Sequence, residues 1–298
     1  MSDMKAALLP DRGVLRITGD PARGFLNGLV TAEIETMSPD TPRYAALLTP
    51  QGKIIADFIV IEAPASDGGG FFIDCPAALA SQLVEKLNFY KLRAKVTIER
   101  LDALGVLAAW DGAGATEYGL VYRDPRLSAL GLRVLIPPQL ASEASAELGA
   151  SLTDAQAYEA HRISLGVPRG GVDFAYGDTF PHDADMDKLA GVDFKKGCFV
   201  GQEVVSRVEH RGTARTRIVP VAFDDFAAQD GATITAGDKT VGTMASSTGP
   251  LGLATLRVDR VADALAAGLP LMAGGMPVRL RESGFGDFIK HAPTKAAG

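Results

Sequence analysis

The sequence predicts an α+β protein whose chain ends in a small β-barrel. In the first two thirds of the chain, β-rich runs alternate with amphipathic segments such as Leu79–Tyr90, where apolar residues recur every three or four positions. After Gly212, short β-like runs are divided by glycine-rich turns, a texture typical of a barrel. A length of 298 residues suggests about two domains. We therefore predict domains at 1–217 and 218–298.

The first elements follow from turn signals and β-rich composition. The runs Lys5–Leu9 and Val14–Ile17 flank a Pro-Asp-Arg-Gly turn and predict a hairpin. A helix is predicted to begin near Pro21, because proline is favoured in the first helical turn. Arg43–Thr49 and Lys53–Glu62 predict a second strand–turn–strand unit.

The same patterns predict the later elements. The strands are Phe71–Asp74, Arg93–Leu101, Gly105–Trp110, Leu132–Ile136, Arg215–Phe223, Ala232–Thr235, Lys239–Ala245, Leu251–Leu256 and Val278–Arg281. The helices run from Pro76 to about Tyr90, from Pro138 to about Leu148, over Ala157–Leu165, from about Val204 to Arg211 and over Val261–Ala267.

Net charge, cysteine count and hydropathy argue against several classes of protein and of binding site. The net charge of −6 argues against a broad nucleic-acid surface. Two cysteines, Cys75 and Cys198, are too few for a disulfide framework, a four-cysteine zinc site or an iron–sulfur cluster held by one protomer. No apolar run approaches 18 residues, so no membrane span is expected. The N-terminus resembles neither a secretory signal nor a transit peptide, and we expect a protein of the cytoplasm, or of the mitochondrial matrix if it is eukaryotic.

The stretch Asp193–Gly212 is the densest in reactive residue types. Lys195 and Lys196 precede Gly197-Cys198, and a second glycine leads into Gln202-Glu203 and a helical pattern. Lysines, glycines and a helix start are typical of a reactive thiol or an anion site. The alternative for Cys198 is a small buried hydrophobe, which is the commoner role of a cysteine.

The block Lys196-Gly-Cys-Phe-Val-Gly-Gln-Glu203 resembles the K-G-C-[YF]-x-G-Q-E motif of the YgfZ family of folate-binding, GcvT-like proteins. The family is implicated in assembly or maintenance of iron–sulfur enzymes and, in some bacteria, in tRNA modification. The resemblance implies ferredoxin-like α/β lobes in the N-terminal part, an aminomethyltransferase-type fold and a C-terminal barrel. It implies tetrahydrofolate or a derivative as ligand, and no stably bound metal beyond Cys198 as a transient ligand.

Weaker resemblances follow in family order. They comprise Phe25–Thr31, Ala56-Asp57, Tyr90–Val96, Tyr158–Arg162, Phe180–Lys188 and Thr243–Ala254. Two departures are informative. Ala56-Asp57 stands where the aminomethyltransferases carry two adjacent acids, and Asp185 stands where the family often has asparagine. The first departure counts against methylene transfer and leaves folate binding open.

The expected folate site combines residue type with this resemblance. A pterin edge needs carboxylate or amide partners, the rings need aromatic walls, and the glutamate tail needs cations. The expected binding residues are Asn27, Asp57 and Glu203 for the edge, Tyr44, Tyr158 and Phe199 for the walls, and Lys53, Arg162, Lys196 and Arg207 for the mouth, with Gln202 of the motif as a further member.

The leading hypothesis is a folate-binding accessory protein of iron–sulfur cluster assembly, with Cys198 as functional thiol and iron–sulfur assembly proteins or client enzymes as partners. One thiol cannot complete a cluster, so a cluster role requires a partner or a dimer. The alternatives are a folate-dependent aminomethyltransferase-type enzyme and a protein associated with tRNA modification. We expect an accessory factor rather than an aminomethyltransferase, with no membrane association.

Overall fold

The computed structural model describes residues 4–212 and 214–282, which divide into two compact units. Unit 1 comprises Met1–Tyr158 and Leu189–Gln202, and unit 2 comprises Glu159–Lys188 and Glu203–Gly298. The division differs from the expected break at residue 217, because 159–188 and 203–217 belong with the barrel. The end of the predicted domain 218–298 lies outside the described residues.

Unit 1 contains ten strands and the helices that cover them, within its described residues. The strands are β1 (Lys5–Leu8), β2 (Arg12–Thr18), β3 (Arg43–Leu48), β4 (Ile54–Glu62), β5 (Phe71–Pro76), β6 (Thr97–Arg100), β7 (Gly105–Trp110), β8 (Leu120–Arg123), β9 (Leu132–Ile136) and β10 (Ser151–Thr153). The helices are α1 (Ala22–Asn27), α2 (Ala80–Lys91), α3 (Ala141–Glu147) and α4 (Ala155–Leu165), whose last turns belong to unit 2. Single 3₁₀ turns occupy Ala65–Asp67, Ala77–Leu79, Ser128–Leu130 and Pro138–Leu140.

The strands of unit 1 form two five-stranded sheets. The first has the order β3-β4-β5-β2-β6, and the second has the order β10-β1-β7-β9-β8. The predicted hairpin of the first two strands is therefore wrong: β1 pairs with β7 and β10, while β2 pairs with β5 and β6. The turn after Leu8 carries the chain from one sheet to the other, which a local turn signal cannot distinguish from a hairpin.

Each sheet of unit 1 buries one face under a helix. Leu83 and Leu87 of α2 join a core with Leu15 and Phe58 of the first sheet. Ala144 of α3 joins a second core on the other sheet. Burial of each leucine side chain stabilises the fold by about 2 kcal/mol, so the predicted apolar stripe of α2 fixes its orientation.

Unit 2 is built on a closed six-stranded barrel. Its elements are α5 (Gln202–Arg211), β11 (Thr216–Ala222), β12 (Thr233–Ala236), β13 (Lys239–Thr248), β14 (Leu251–Arg257), α6 (Val258–Ala266), β15 (Leu271–Ala273) and β16 (Met276–Leu280), of which Gln202 alone lies in unit 1. The barrel order is β11-β14-β13-β12-β15-β16, and β16 closes it by pairing with β11. The predicted C-terminal barrel is confirmed, and the short strand β15 is added to it.

None of the described helices has the length and hydropathy that a bilayer span needs.

Candidate functional site

The loop that carries Cys198 is tied to unit 1 at its base. The Asp193 N–H donates to the Thr31 carbonyl over 2.9 Å, and Thr31 Oγ1 donates to the Gly191 carbonyl over 2.5 Å. The Asp193 carboxylate in turn accepts the backbone N–H groups of Lys195 and Lys196 at 2.8 and 3.2 Å. The chain before the thiol is therefore fixed by local backbone bonds, and Thr31 of the weak Phe25–Thr31 resemblance supplies part of its anchor.

Lys196 holds this loop to the segment that follows α1. Its ammonium donates to the carbonyls of Asn27, Val30 and Ala32 over 2.8, 2.7 and 2.6 Å. Three donors matched to three acceptors satisfy the ammonium completely. Burial lowers the pKa of Lys196 to about 8, although the nearby carboxylates of Glu33 and Asp193 act in the opposite direction. The cation expected to hold an anion is thus committed to the protein's own backbone.

Phe199 and Gly201 shape the far side of the loop. The Phe199 ring is buried, and the Lys196 ammonium lies 5.4 Å from its centroid. Gly201 has φ +82°, and a Cβ built on it would lie 2.6 Å from the Thr49 carbonyl oxygen. Only glycine fits this left-handed position so close to another backbone. The second glycine of the motif is therefore required by the fold, and it leads directly into α5.

The two cysteines occupy opposite environments. Cys198 is exposed, whereas Cys75 in β5 is buried with 0% of its surface exposed. Burial raises the pKa of the Cys75 thiol to about 12, which removes it from thiolate chemistry near neutral pH. Cys198 is thus the accessible thiol of this chain, and the role of a buried hydrophobe belongs to Cys75.

Tyr44 and Asp57 are brought together on neighbouring strands. The Tyr44 hydroxyl donates to Asp57 Oδ2 over 2.9 Å, and both residues are buried. Burial and then the Asp57 charge raise the pKa of Tyr44 well above its usual value. The Arg126 guanidinium lies 5.7 Å from the centroid of the Tyr44 ring. Tyr44, expected as an aromatic wall, and Asp57, expected as a partner of the pterin edge, thus form one hydrogen-bonded pair.

A buried charge network in unit 1 continues from this pair, and sequence reasoning missed it. Asp74 accepts from Arg12 Nε at 2.6 Å, from Tyr122 at 2.8 Å and from Arg133 at 2.6 Å. Burial acts to raise the pKa of Asp74, but Arg12 and Arg133 outweigh it and hold that pKa below its usual value. Asp124 accepts from Arg133 at 2.9 Å and from Arg126 at 2.7 and 3.0 Å. No short motif marks these residues, because β2 and β5 belong to the first sheet and β8 and β9 to the second, and their side chains meet only when the two sheets pack together.

Tyr158 belongs to the same network. Its hydroxyl accepts from Arg133 over 3.1 Å, and its ring meets the Trp110 ring edge-on with centroids 5.4 Å apart. Both aromatic residues are buried. This placement makes Tyr158 a packed core residue, and Trp110 at the end of β7 packs against it.

Arg162 is a buried cation of unit 2. Its guanidinium donates to Asp173 Oδ2 at 2.7 Å, to the Val167 carbonyl at 2.5 Å and to Ser246 Oγ at 2.9 Å, and it also binds Glu159. Only 1% of the residue is exposed. Arg162 therefore does not have the expected role at a cavity mouth, because its charge is already neutralised by carboxylates inside the unit. Arg162 joins α4 to the barrel strand β13.

The remaining expected residues lie at the surface or in turns. Arg207 Nη2 and Glu203 Oε1 form an exposed i,i+4 pair on α5 at 2.6 Å, an arrangement that contributes little to stability. Asn27 Oδ1 accepts the Ile34 N–H at 2.9 Å. Half-buried Lys53 closes the turn before β4, and Gln202 begins α5.

One further cluster in unit 2 has the composition of a metal site. Ligand atoms of His182, Asp187 and Glu209 lie within 4.8 Å of one another, the only such group among the described residues. However, Arg217 already binds both oxygens of Asp187 at 2.6 and 3.0 Å, so a metal ion would have to displace a guanidinium. The contacts describe an ion-pair network.

Comparison with known sequences identifies the family. The profile of the CAF17 C-terminal beta-barrel domain matches residues 215–284. The mitochondrial iron–sulfur cluster assembly factor IBA57 homolog of Pyricularia oryzae is 32% identical over 94% of this chain and 77% of that protein. Human IBA57, also named as a mitochondrial iron–sulfur cluster assembly factor, is 31% identical over 85% of this chain and 77% of its own. The chain belongs to the IBA57 (YgfZ/CAF17) family.

The fold of this IBA57-family chain also matches a solved enzyme structure. The glycine cleavage system aminomethyltransferase T from Bartonella henselae superposes with a TM-score of 0.75, over 95% of this chain and 86% of that one. The identity is 15%, so the match shows a shared fold and nothing of shared chemistry. The expected GcvT-like α+β architecture is confirmed.

A further sequence relative, the IBA57 homolog of Mycosarcoma maydis, is 34% identical over 74% of this chain and 58% of its own length.

Proposed function

We propose that this protein is an iron–sulfur cluster assembly factor in which Cys198 is the functional thiol. The names of its relatives support the role, and the exposure of Cys198 on an anchored loop is the observation that carries it. Lys196 and Phe199, on either side of the Gly197-Cys198 pair, are buried, while the thiol faces solvent. A thiol presented in this way is accessible to a second protein.

The thiol count defines what Cys198 contributes. A cluster bound only through cysteine needs four thiolates, and this chain has two cysteines, one of them buried. Cys198 supplies one ligand: its S–H proton passes to solvent, an Fe–S bond forms, and no electron is transferred. The other ligands come from an iron–sulfur assembly protein or client enzyme, and the cluster is cargo. For a eukaryotic source the mitochondrion is the matching compartment, as the names of the relatives indicate, and we propose the matrix within it.

Tetrahydrofolate is proposed as the ligand of unit 1, and the residues fit it in part. Asp57, held by Tyr44, offers the carboxylate that the N–H edge of a pterin requires. Lys196 does not fit as a partner for the glutamate tail, because its three N–H donors are bound to carbonyls. Lys53 is the remaining expected cation in this unit. Bound folate would supply a one-carbon carrier, while the protein's own residues would orient the pterin.

The thiol role is tested by complementation of a strain that lacks its own member of the family. Cys198→Ser is expected to reduce the activity of a [4Fe–4S] enzyme in cell extracts to the level of the empty vector, at unchanged protein abundance. Cys75→Ala serves as the matched control, because it removes the other thiol and is expected to keep activity. Full activity of Cys198→Ser would overturn the thiol role.

The folate proposal has a separate test. Calorimetric titration with tetrahydrofolate is expected to show micromolar binding that Asp57→Asn and Lys53→Gln weaken and that Lys195→Gln leaves unchanged. Absence of binding in the parent protein would remove folate and leave the thiol role untouched. Since purified protein is used, this result is independent of complementation.

A further inference from the structure

A cleft of about 650 Å³ lies on the barrel of unit 2, beside α6. Its walls come from α6, from the hairpin of β12 and β13, and from Arg215 at the start of the barrel. Ligand pockets of small organic molecules have volumes of about 300–1,000 Å³, so the cleft is large enough for one. None of the residues of the proposed folate and thiol sites lines it.

The cleft is positively charged in a negatively charged protein. Its described lining includes Arg215, Lys239, Arg257 and Arg260 against Asp259 and Asp263, a formal charge of +2, whereas the whole chain carries −6. Such a local reversal concentrates anions, because low-dielectric walls focus the field of the charges.

One of the four basic side chains is paired with a carboxylate, and the other three form no direct ion pair with a described residue. Arg257 binds Asp259 through two bonds of 3.1 and 2.8 Å, and Arg260 donates to the Thr240 carbonyl over 2.9 Å. Lys239 and Arg215 form no direct ion pair among the described residues, although the Arg215 charge also acts on Asp259 at longer range. An anion in the cleft would therefore meet positive charge that no protein carboxylate neutralises by direct contact.

The apolar part of the lining, which is the floor of the cleft, consists of three alanines together with Val241 and Leu269. Ala236 and Ala264 are buried, Ala267 is exposed, and Val241 and Leu269 complete the surface. Alanines on facing elements leave the space that larger side chains would fill. A ligand here gains from burying an apolar group as well as from its charge.

We propose that this cleft is a binding site for a small organic anion that has an apolar ring or chain and a carboxylate, sulfonate or phosphate group. The anionic group lies between Lys239, Arg215 and Arg260, and the apolar part lies on the alanines of β12 and α6.

The test uses a matched pair of fluorescent probes on the full-length protein. The first is 1-anilinonaphthalene-8-sulfonate, and the second is N-phenyl-1-naphthylamine, which has the same rings without the sulfonate. The sulfonate probe is expected to bind one site and to weaken as salt rises from 50 to 500 mM, because screening shortens the reach of the lysine and arginine charges. The neutral probe is expected to bind at least tenfold more weakly, as the loss of one charge-assisted bond predicts.

Three variants assign the site. Lys239→Gln and Arg215→Gln are each expected to raise the Kd of the sulfonate probe about tenfold, and Ala267→Leu is expected to do so by filling the floor. Lys86→Gln removes an exposed lysine of α2 in unit 1 and serves as the charge-matched control with unchanged Kd. Unchanged melting temperatures show that each variant is folded. The proposal is overturned if the probe does not bind, if the three cleft variants bind like the parent, or if the neutral probe binds equally well.

Discussion

The Lys196 ammonium lies 5.4 Å from the centroid of the Phe199 ring, so the side chains on both sides of Gly197-Cys198 turn into the protein together. A cation over an aromatic face contributes about 0.5–2 kcal/mol, and the three carbonyl bonds of Lys196 add to this. In the motif, the buried side chains of Lys196 and Phe199 therefore flank the exposed thiol of Cys198.

Lys196→Met is expected to destabilise the protein by about 2–4 kcal/mol, because three carbonyls lose their buried donor. Urea unfolding would measure this loss, and limited proteolysis would show earlier cleavage within 193–201. Lys195→Met is the matched control, since the Lys195 side chain is exposed, and it is expected to change neither measurement. Equal stability of the two variants would show that the ammonium contacts are not formed.

The two thiols are expected to react with a maleimide at very different rates. At pH 7 the native protein should take up one equivalent rapidly at Cys198, and the second should react only in denaturant, because Cys75 is buried and its pKa is raised to about 12. Peptide mapping assigns the sites, and Cys198→Ser should abolish the rapid phase. Rapid uptake of two equivalents by native protein would contradict the burial of Cys75.

Asp185 and Asp187 are expected to respond in opposite directions to replacement by asparagine. Burial, opposed by Arg217, raises the pKa of Asp185 well above its usual value, and Asp185 Oδ2 has no hydrogen-bond partner in the described structure. Because the pKa of this carboxyl is higher in the folded than in the unfolded protein, its contribution to stability is fully present below the unfolded pKa and is lost as the pH rises. The free energy of unfolding of Asp185→Asn should therefore rise, relative to that of the parent, by up to about 1.4 kcal/mol for each pH unit above about pH 4.

The backbone favours the same substitution. Asp185 has φ +57°, a left-handed conformation that asparagine adopts readily. Asp187→Asn, by contrast, should cost about 3 kcal/mol at pH 7, because Arg217 loses its bidentate partner. Urea unfolding of the three proteins between pH 5 and pH 8 separates the outcomes, and an Asp185→Asn protein with no pH-dependent gain would count against an abnormal Asp185.

Asp74→Asn is expected to destabilise unit 1 by about 3–5 kcal/mol, because Arg12 loses its carboxylate partner and Arg133 loses one of its two. The pKa of Asp74 is held low by these arginines, so its contribution is present above the unfolded pKa near 4 and is lost as pH falls. Acid titration followed by circular dichroism should show a shallower loss of stability in the variant. A variant as stable as the parent at pH 7 would contradict the network.

Features of the fold that depend on local sequence patterns could be predicted from the sequence. The strands β7 and β9, the helix α2 and the barrel texture follow from periodicity and turn residues, and the family follows from eight contiguous residues. The network around Asp74 was not predictable, because its members come from β2 and β5 of one sheet and from β8 and β9 of the other, and they meet only where the two sheets pack together. Lys196 and Arg162 were assigned to anions by residue type, since no local signal distinguishes a cation that binds a ligand from one that binds carbonyls or a buried carboxylate.

The interleaving of the two units has a consequence for how the chain is made. The segment that carries Cys198 belongs to unit 1 but is preceded by Glu159–Lys188, which belongs to unit 2. During synthesis from the N-terminus, the partners of Lys196 at Asn27 and Val30 leave the ribosome some 170 residues before the lysine. Neither unit is a contiguous stretch of sequence, so a nascent chain that stops at residue 158 contains both sheets of unit 1 and Cys75 but lacks Cys198.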